Sequence, residues 1–241
     1  MKTAVMGIVN VTPDSFSDGG MYYRPEEAMR RAENLVDEGA DIIDLGAEST
    51  RPGAEPVTPE EEWRRLEPVL VGLGHLPVPI SVDTRHPETA RRALQTGAQI
   101  INCVYAPPIP EMLKLLREFP ESEIAMPAEC HPSVVNEPDL LARTYLDPMI
   151  GFGTSRDQDL ALLRSVPELA RKGRVLVGAS RKRIVKKLTG ERVTGKTLGG
   201  NVGLAAWCAM NGACAVRVHD VKETVQALKI IAALEDRQRR Y

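Results

Sequence analysis

Asn10, Arg51, Asp83, Asn102, Asp147, Lys182, Arg217 and His219 are the residues whose types and spacing suit chemistry on a polar ligand. Each stands at or just after the end of a short apolar run, and together they mark seven of eight such runs. A lone Asp or Asn in that place is ordinary turn or capping chemistry. Recurrence along the whole chain points to a shared ligand instead. Two chemical groups separate. Arg51, Lys182, Arg217 and His219 are cationic or can become so, and arginine grips phosphate through paired N–H donors. Asn10 adds a hard oxygen near that anion site, suited to Mg2+, which takes few protein ligands when a phosphate is present. Asp83, Asn102 and Asp147 form the second group, whose acceptors suit a flat heterocycle with an amino-pyrimidine edge.

Such residues can meet only if regular elements bring the run ends together. Apolar strand signals lie at Ala4–Val9, Asp41–Gly46, Pro79–Val82, Gln99–Asn102, Ile124–Met126, Tyr145–Leu146, Arg174–Val177 and Ala213–Val218. Helical spacing of apolar residues fills the gaps, at Pro25–Glu38, from Thr58 through Leu70, and at Pro87–Thr96, Pro110–Glu118, Gln158–Leu169, Ile184–Leu188, Leu198–Asn211 and Val221–Leu234. Pro at the first turn and Gly just past the end punctuate several of them, as at Pro25 with Gly39 and Pro87 with Gly97. Strict alternation of strand and helix over this length predicts a parallel (β/α)8 barrel, a TIM barrel, as one domain over 1–241. An open doubly wound sheet is the alternative, but no GxGxxG follows the first strand. The fifth unit is short. Three prolines interrupt it, and residues 136–143 allow at most about two helical turns.

Composition narrows the function. The chain has 241 residues, 43% hydrophobic, with a net charge of −2 and no basic block, so nucleic acid is not an expected partner. No apolar stretch is long enough to span a bilayer, and Met1-Lys2-Thr3 leads straight into strand and loop. A cytoplasmic protein with reduced thiols at Cys103, Cys130, Cys208 and Cys214 is expected, since no CxxC spacing occurs.

The run Asn10-Val11-Thr12-Pro13-Asp14-Ser15-Phe16-Ser17-Asp18-Gly19-Gly20 resembles the first signature of the dihydropteroate synthases. Residues 39–53, through Glu48-Ser49-Thr50-Arg51-Pro52-Gly53, resemble the second. Ser81-Val82-Asp83-Thr84, Leu146-Asp147-Pro148, Gly178-Ala179-Ser180-Arg181-Lys182 and Arg217-Val218-His219-Asp220 follow in the family's order, over nearly the whole chain. The resemblance implies a transferase of folate biosynthesis that joins 6-hydroxymethyl-dihydropterin diphosphate to p-aminobenzoate and releases diphosphate. It implies that Asp83, Asn102, Asp147 and Lys182 hold the pterin. Asn10, through Mg2+, would hold the diphosphate with Arg51, Arg217 and His219. Thr50, Pro52 and the 11–20 loop would close over the aryl amine. Asp83, Asp147, Lys182 and Arg217 are the residues it puts at the chemistry, and a homodimer through the last helices is the family's assembly.

The chain departs from the family pattern at three places. Cys103 stands where an acid usually follows the fourth strand, Met126-Pro127-Ala128 replaces a Met-His-Met run, and Arg183 replaces a serine. Two variant readings follow. One is an enzyme acting on an aminobenzoate that carries a ribosyl phosphate, as in methanopterin synthesis. The other is a pterin-binding or methyl-carrying relative without this reaction. Cys130 and His131 lack a second pair at metal-ligand spacing, and Trp63 and Trp207 are expected in the core.

Overall fold

Apolar runs bounded by turn residues become central strands when helices cover one face of the sheet and side chains fill the other. The computed structural model describes residues 2–12, 24–48, 56–104 and 109–238, and among them eight parallel strands close into a barrel in chain order. The strands are β1 (Ala4–Asn10), β2 (Ile42–Gly46), β3 (Ile80–Asp83), β4 (Ile100–Asn102), β5 (Glu123–Pro127), β6 (Thr144–Asp147), β7 (Arg174–Val177) and β8 (Ala215–Val218). Closure is made by β1 against β8, with Met6 opposite Arg217. The TIM-barrel expectation is therefore met.

Period-two alternation divides the side chains. Met6, Ile42, Ile100, Ala125, Leu176 and Ala215 pack together inside the barrel. Val5, Val9, Ile43, Val82, Ile101 and Val216 point outwards into the larger core under the helices. Inside, the same alternation carries Ile42 to Asp44, Ser81 to Asp83 and Ala215 to Arg217, so the apolar filling gives way to polar groups at the C-terminal mouth.

The helices are α1 (Pro25–Asp37), α2 (Pro59–Gly72), α3 (Pro87–Thr96), α4 (Ile109–Glu118), α5 (Pro138–Ala142), α6 (Arg156–Arg164), α7 (Val166–Leu169), α8 (Arg183–Thr189), α9 (Leu198–Met210) and α10 (Val221–Gln238). Thr58 caps α2 by accepting the Glu61 N–H at 3.3 Å, and Gly97 ends α3 at φ +110°. The fifth unit is short, as expected: a 3-10 turn over Ala128–Ser133, then the five residues of α5.

Two expectations change. The helix read as Gln158–Leu169 is two pieces that start at Arg156. Ser155 and Gln158 form a reciprocal capping box there, and Pro167, which has no N–H, sits in the first turn of α7 after the break at Ser165. Trp63 is buried in the core, but Trp207 is 37% exposed. α9 is apolar nearly all round, so periodicity could not say which side faces the barrel.

Candidate active site

The barrel mouth gathers charges that are far apart in the chain. Arg217, on β8, donates from Nε to Asp44 Oδ2 at 2.6 Å and from Nη2 to Asp83 Oδ2 at 2.8 Å. Asn102, fully buried at the end of β4, donates from Nδ2 to the same Asp44 oxygen at 3.3 Å. Asp147 ends β6, is 3% exposed, and accepts the Met149 N–H at 2.6 Å. Lys182, at the N-cap of α8, donates to the Ile150 carbonyl at 2.6 Å, with Nζ 4.1 Å from the centre of the Phe152 ring.

Crowding and burial move the ionisations. Burial pushes the Asp83 carboxyl up to about 7, Arg217 and Lys182 opposing the shift and Asp44 and Glu62 adding to it. Burial likewise raises Asp147, against the pull of Lys182. The Lys182 ammonium is lowered to about 8 by burial, although Asp147 and Asp83 favour its charge. Arg217 stays charged, because its carboxylate neighbours outweigh its desolvation. A mouth with proton affinities brought this close to neutrality is suited to binding a heterocycle and to answering charge that develops on it.

Supporting residues hold these groups. Asp159, buried on α6, accepts the Gly151 N–H at 2.8 Å and the Thr154 hydroxyl, which pins the turn after β6. Gly151 is at φ +79°, and a Cβ there would lie 2.9 Å from Lys182 Cδ, so only glycine leaves room for the lysine stem. Asn201 accepts the Arg181 N–H at 2.9 Å and donates to Asp220 at 2.9 Å, which fixes the turn carrying Lys182. Beneath β3, the Thr84 hydroxyl donates to the buried Glu62 at 2.6 Å. Burial raises the Glu62 carboxyl.

The fold thus brings together Asp83, Asn102, Asp147, Lys182 and Arg217. Their two chemical groups interpenetrate, with Arg217 lodged among the carboxylates. His219 lies beyond β8 and its Nδ1 is 3.1 Å from the Ser180 hydroxyl. Asn10 is exposed at the end of β1, in register with Gly46. Thr50, Arg51, Pro52 and most of the 11–20 loop lie outside the described residues. Asp44, Phe152, Asp159 and Asn201 escaped the sequence reading. Asp44 left a signal there, as a charge inside the apolar run Ile42-Ile43-Asp44-Leu45, and Phe152 stands in Gly151-Phe152-Gly153, a run that accompanies Leu146-Asp147-Pro148 in the family resemblance.

The short fifth unit leaves a cleft of about 600 Å³ beside Asp147, lined by Glu129, Met149, Phe152 and Gln158. Thr154 also lines it, and the Arg183 guanidinium donates to the Thr154 carbonyl. A second cavity, of about 360 Å³, lies at the opposite end of the barrel near Lys2, Gly39 and Val225, away from these charges. Among the described residues no three His, Cys, Asp or Glu side chains cluster to hold a metal, and no helix is long and apolar enough to cross a membrane. The four cysteines are unpaired.

Comparison with known proteins gives the family. The profile of a family described as pterin binding enzyme matches residues 6–144 and 141–219. The chain is 41% identical to the dihydropteroate synthase of Neisseria meningitidis serogroup B, over 97% of its own length and 93% of the relative's. It is 38% identical to that of Synechocystis, over 97% and 90%. Among solved structures, Xanthomonas albilineans dihydropteroate synthase with 4-aminobenzoic acid superposes with a TM-score of 0.89 at 39% identity, covering 97% of this chain and 93% of that one. The Burkholderia cenocepacia enzyme complexed with 7,8-dihydropteroate gives 0.84 at 32% identity, covering 100% and 94%.

Proposed function

The chain belongs to the dihydropteroate synthases of the pterin-binding enzyme family, and we propose how its barrel mouth divides that reaction among its residues. The reaction joins the methylene carbon of 6-hydroxymethyl-dihydropterin diphosphate to the amine of p-aminobenzoate. The C–O bond to diphosphate breaks, the C–N bond forms, and the amine gives up a proton. The observation that carries the assignment is the convergence of three carboxylates, an amide, an arginine and a lysine at one mouth. Asp83, Asn102 and Asp147 would accept the amino and ring N–H groups of the pterin, and Lys182 would donate to its opposite edge. As diphosphate leaves, positive charge grows on the pterin. Ionised Asp83 and Asp147 favour that charge more than they favour the neutral ground state.

The anion falls to Arg51, Arg217 and His219. Arg217 reaches it from its seat between Asp44 and Asp83, so pterin and diphosphate would be bound by one connected network. Asn10 fits a Mg2+ site. It offers a single amide oxygen at an exposed strand end, with no acidic cluster among the described residues to compete, so the diphosphate would supply the remaining charge. Bound Mg2+ would neutralise the departing diphosphate. Thr50, Pro52 and the 11–20 loop would cover the aryl amine. A homodimer is supported by the exposed apolar residues of the last two helices, Trp207, Met210, Ile230 and Leu234. A cytoplasmic location accords with the reduced cysteines.

The test is turnover. Purified protein with Mg2+ and the pterin diphosphate should release diphosphate only when p-aminobenzoate is present. A parallel arm with the ribosyl-phosphate aminobenzoate separates the methanopterin variant. Failure of both amines to give release, from a protein whose circular dichroism and melting are normal, would sink the enzyme reading.

A further inference from the structure

We infer that Asp44 is the positioning residue of the pterin pocket: it anchors Arg217 and turns the Asn102 amide so that Oδ1 meets the ligand. This rests on the pterin reading above and deepens it, because it says how the pocket selects one edge of a heterocycle.

Asp44 is fully buried, and Arg217 Nε donates to its Oδ2 at 2.6 Å. A carboxylate so paired only accepts hydrogen bonds. The atom of Asn102 that lies 3.3 Å from the same oxygen must therefore be its NH2 group, since an amide oxygen there would set acceptor against acceptor. Asn102 Oδ1 is then left buried with no partner among the described residues. So are Asp44 Oδ1 and the hydroxyl of Ser81, the residue that pairs with Asp44 across β2 and β3. Buried polar atoms without partners are unfavourable, and a ligand that supplies partners relieves them.

The consequence is specificity. With one N–H of its amide on Asp44 and Oδ1 left over, Asn102 presents an acceptor, as Asp83 and Asp147 do when ionised. The pocket then favours a donor-rich edge, as in a 2-aminopteridine, over the 2-oxo edge of a pteridine-dione. Without the Asp44 charge the amide can turn over and offer donors, and the discrimination weakens. Asp44 touches neither reacting atom, so its effect passes through Asn102 and Arg217.

The experiment uses two uncharged ligands, 6-hydroxymethylpterin and its 2-oxo analogue, so that loss of the diphosphate contact does not intrude. Wild-type protein should prefer the amino compound by about a hundredfold, and Asp44→Asn should reduce that preference to about tenfold or less. Asp44→Asn should also lower the pH at which Asp83 ionises. Asp44 is one of the charges that raise it, Glu62 is another, and Arg217 and Lys182 act the other way. The acid limb of pterin binding should move down accordingly. A merely structural Asp44 would change the melting temperature and leave both the preference and the limb in place. That outcome, with the wild type binding pterin normally, overturns the inference and spares the functional reading. A wild type that binds neither pteridine removes both. Should Asp44→Asn fail to fold, NMR of the wild type decides. The Asn102 side-chain NH2 should exchange slowly in the ligand-free protein and shift little when pterin binds, whereas a large shift would place the NH2 on the ligand and refute the assignment.

Discussion

The barrel carries charge at both ends and treats it in opposite ways. At the N-terminal end, Arg174 pairs with Glu123, donates to the Ala142 carbonyl at 3.0 Å and to the Tyr145 hydroxyl, and lies 3.9 Å from the centre of the Tyr145 ring. Both charged side chains are about one-third exposed, so neither is fully stripped of water. At the C-terminal mouth one arginine serves two carboxylates, Asp44 is wholly buried, and polar atoms of Asp44, Ser81 and Asn102 have no partner among the described residues. The first arrangement plugs the barrel. The second keeps charge in a form that a ligand can complete, at a cost to the unliganded fold.

Removing one arginine from each end should separate the two most sharply. Arg217→Met leaves Asp44 and Asp83 facing each other in a buried site and should cost about 3–5 kcal/mol of unfolding free energy, with catalysis lost. Urea unfolding measures the first and diphosphate release the second. A loss under about 1 kcal/mol would mean that the mouth is as well solvated as the other end.

The pH dependence should differ next. Asp83 has its carboxyl raised from the ordinary 3.8 to about 7. A carboxyl shifted upwards favours the fold while protonated, so its contribution is full below about pH 4 and is lost as pH rises through about 7. The wild type should lose stability relative to Asp83→Asn across that window. Parallel curves would show that Asp83 ionises normally and that the electrostatic contrast between the ends is weak.

Gly151→Ala tests the mouth through shape. The backbone there is at φ +79°, and the new methyl would meet Lys182 Cδ at 2.9 Å. About 1–2 kcal/mol of stability should be lost to the left-handed backbone, and pterin affinity should fall because Lys182 must move. Unchanged affinity alongside lowered stability would release Lys182 from the pocket. The smallest effect belongs to the plug. Arg174→Met should cost about 1 kcal/mol and leave both the pterin dissociation constant and the rate of diphosphate release unaltered. A change in either would show that the two ends are coupled.

The order of strands and helices, the short fifth unit and the strand-end residues Asp83, Asn102, Asp147, Lys182 and Arg217 were all readable from the chain. They depend on local spacing: period two along a strand, 3.6 along a helix, and proline, glycine or a capping residue where each ends. What the chain by itself could not tell was which of those ends would touch. Arg217 meets Asp83 and Asp44 across 134 and 173 residues, and it does so only because β8 closes on β1 and the alternation inside the barrel sets all three on one lining. Asp44 went unassigned inside its apolar run until closure supplied its partners. Trp207 read as core because its helix is apolar on every side, and only packing against the barrel decided which side stayed dry. Local periodicity is written in neighbouring residues, whereas pairing, burial and the ionisation that follows from them belong to contacts that exist only once the barrel has closed.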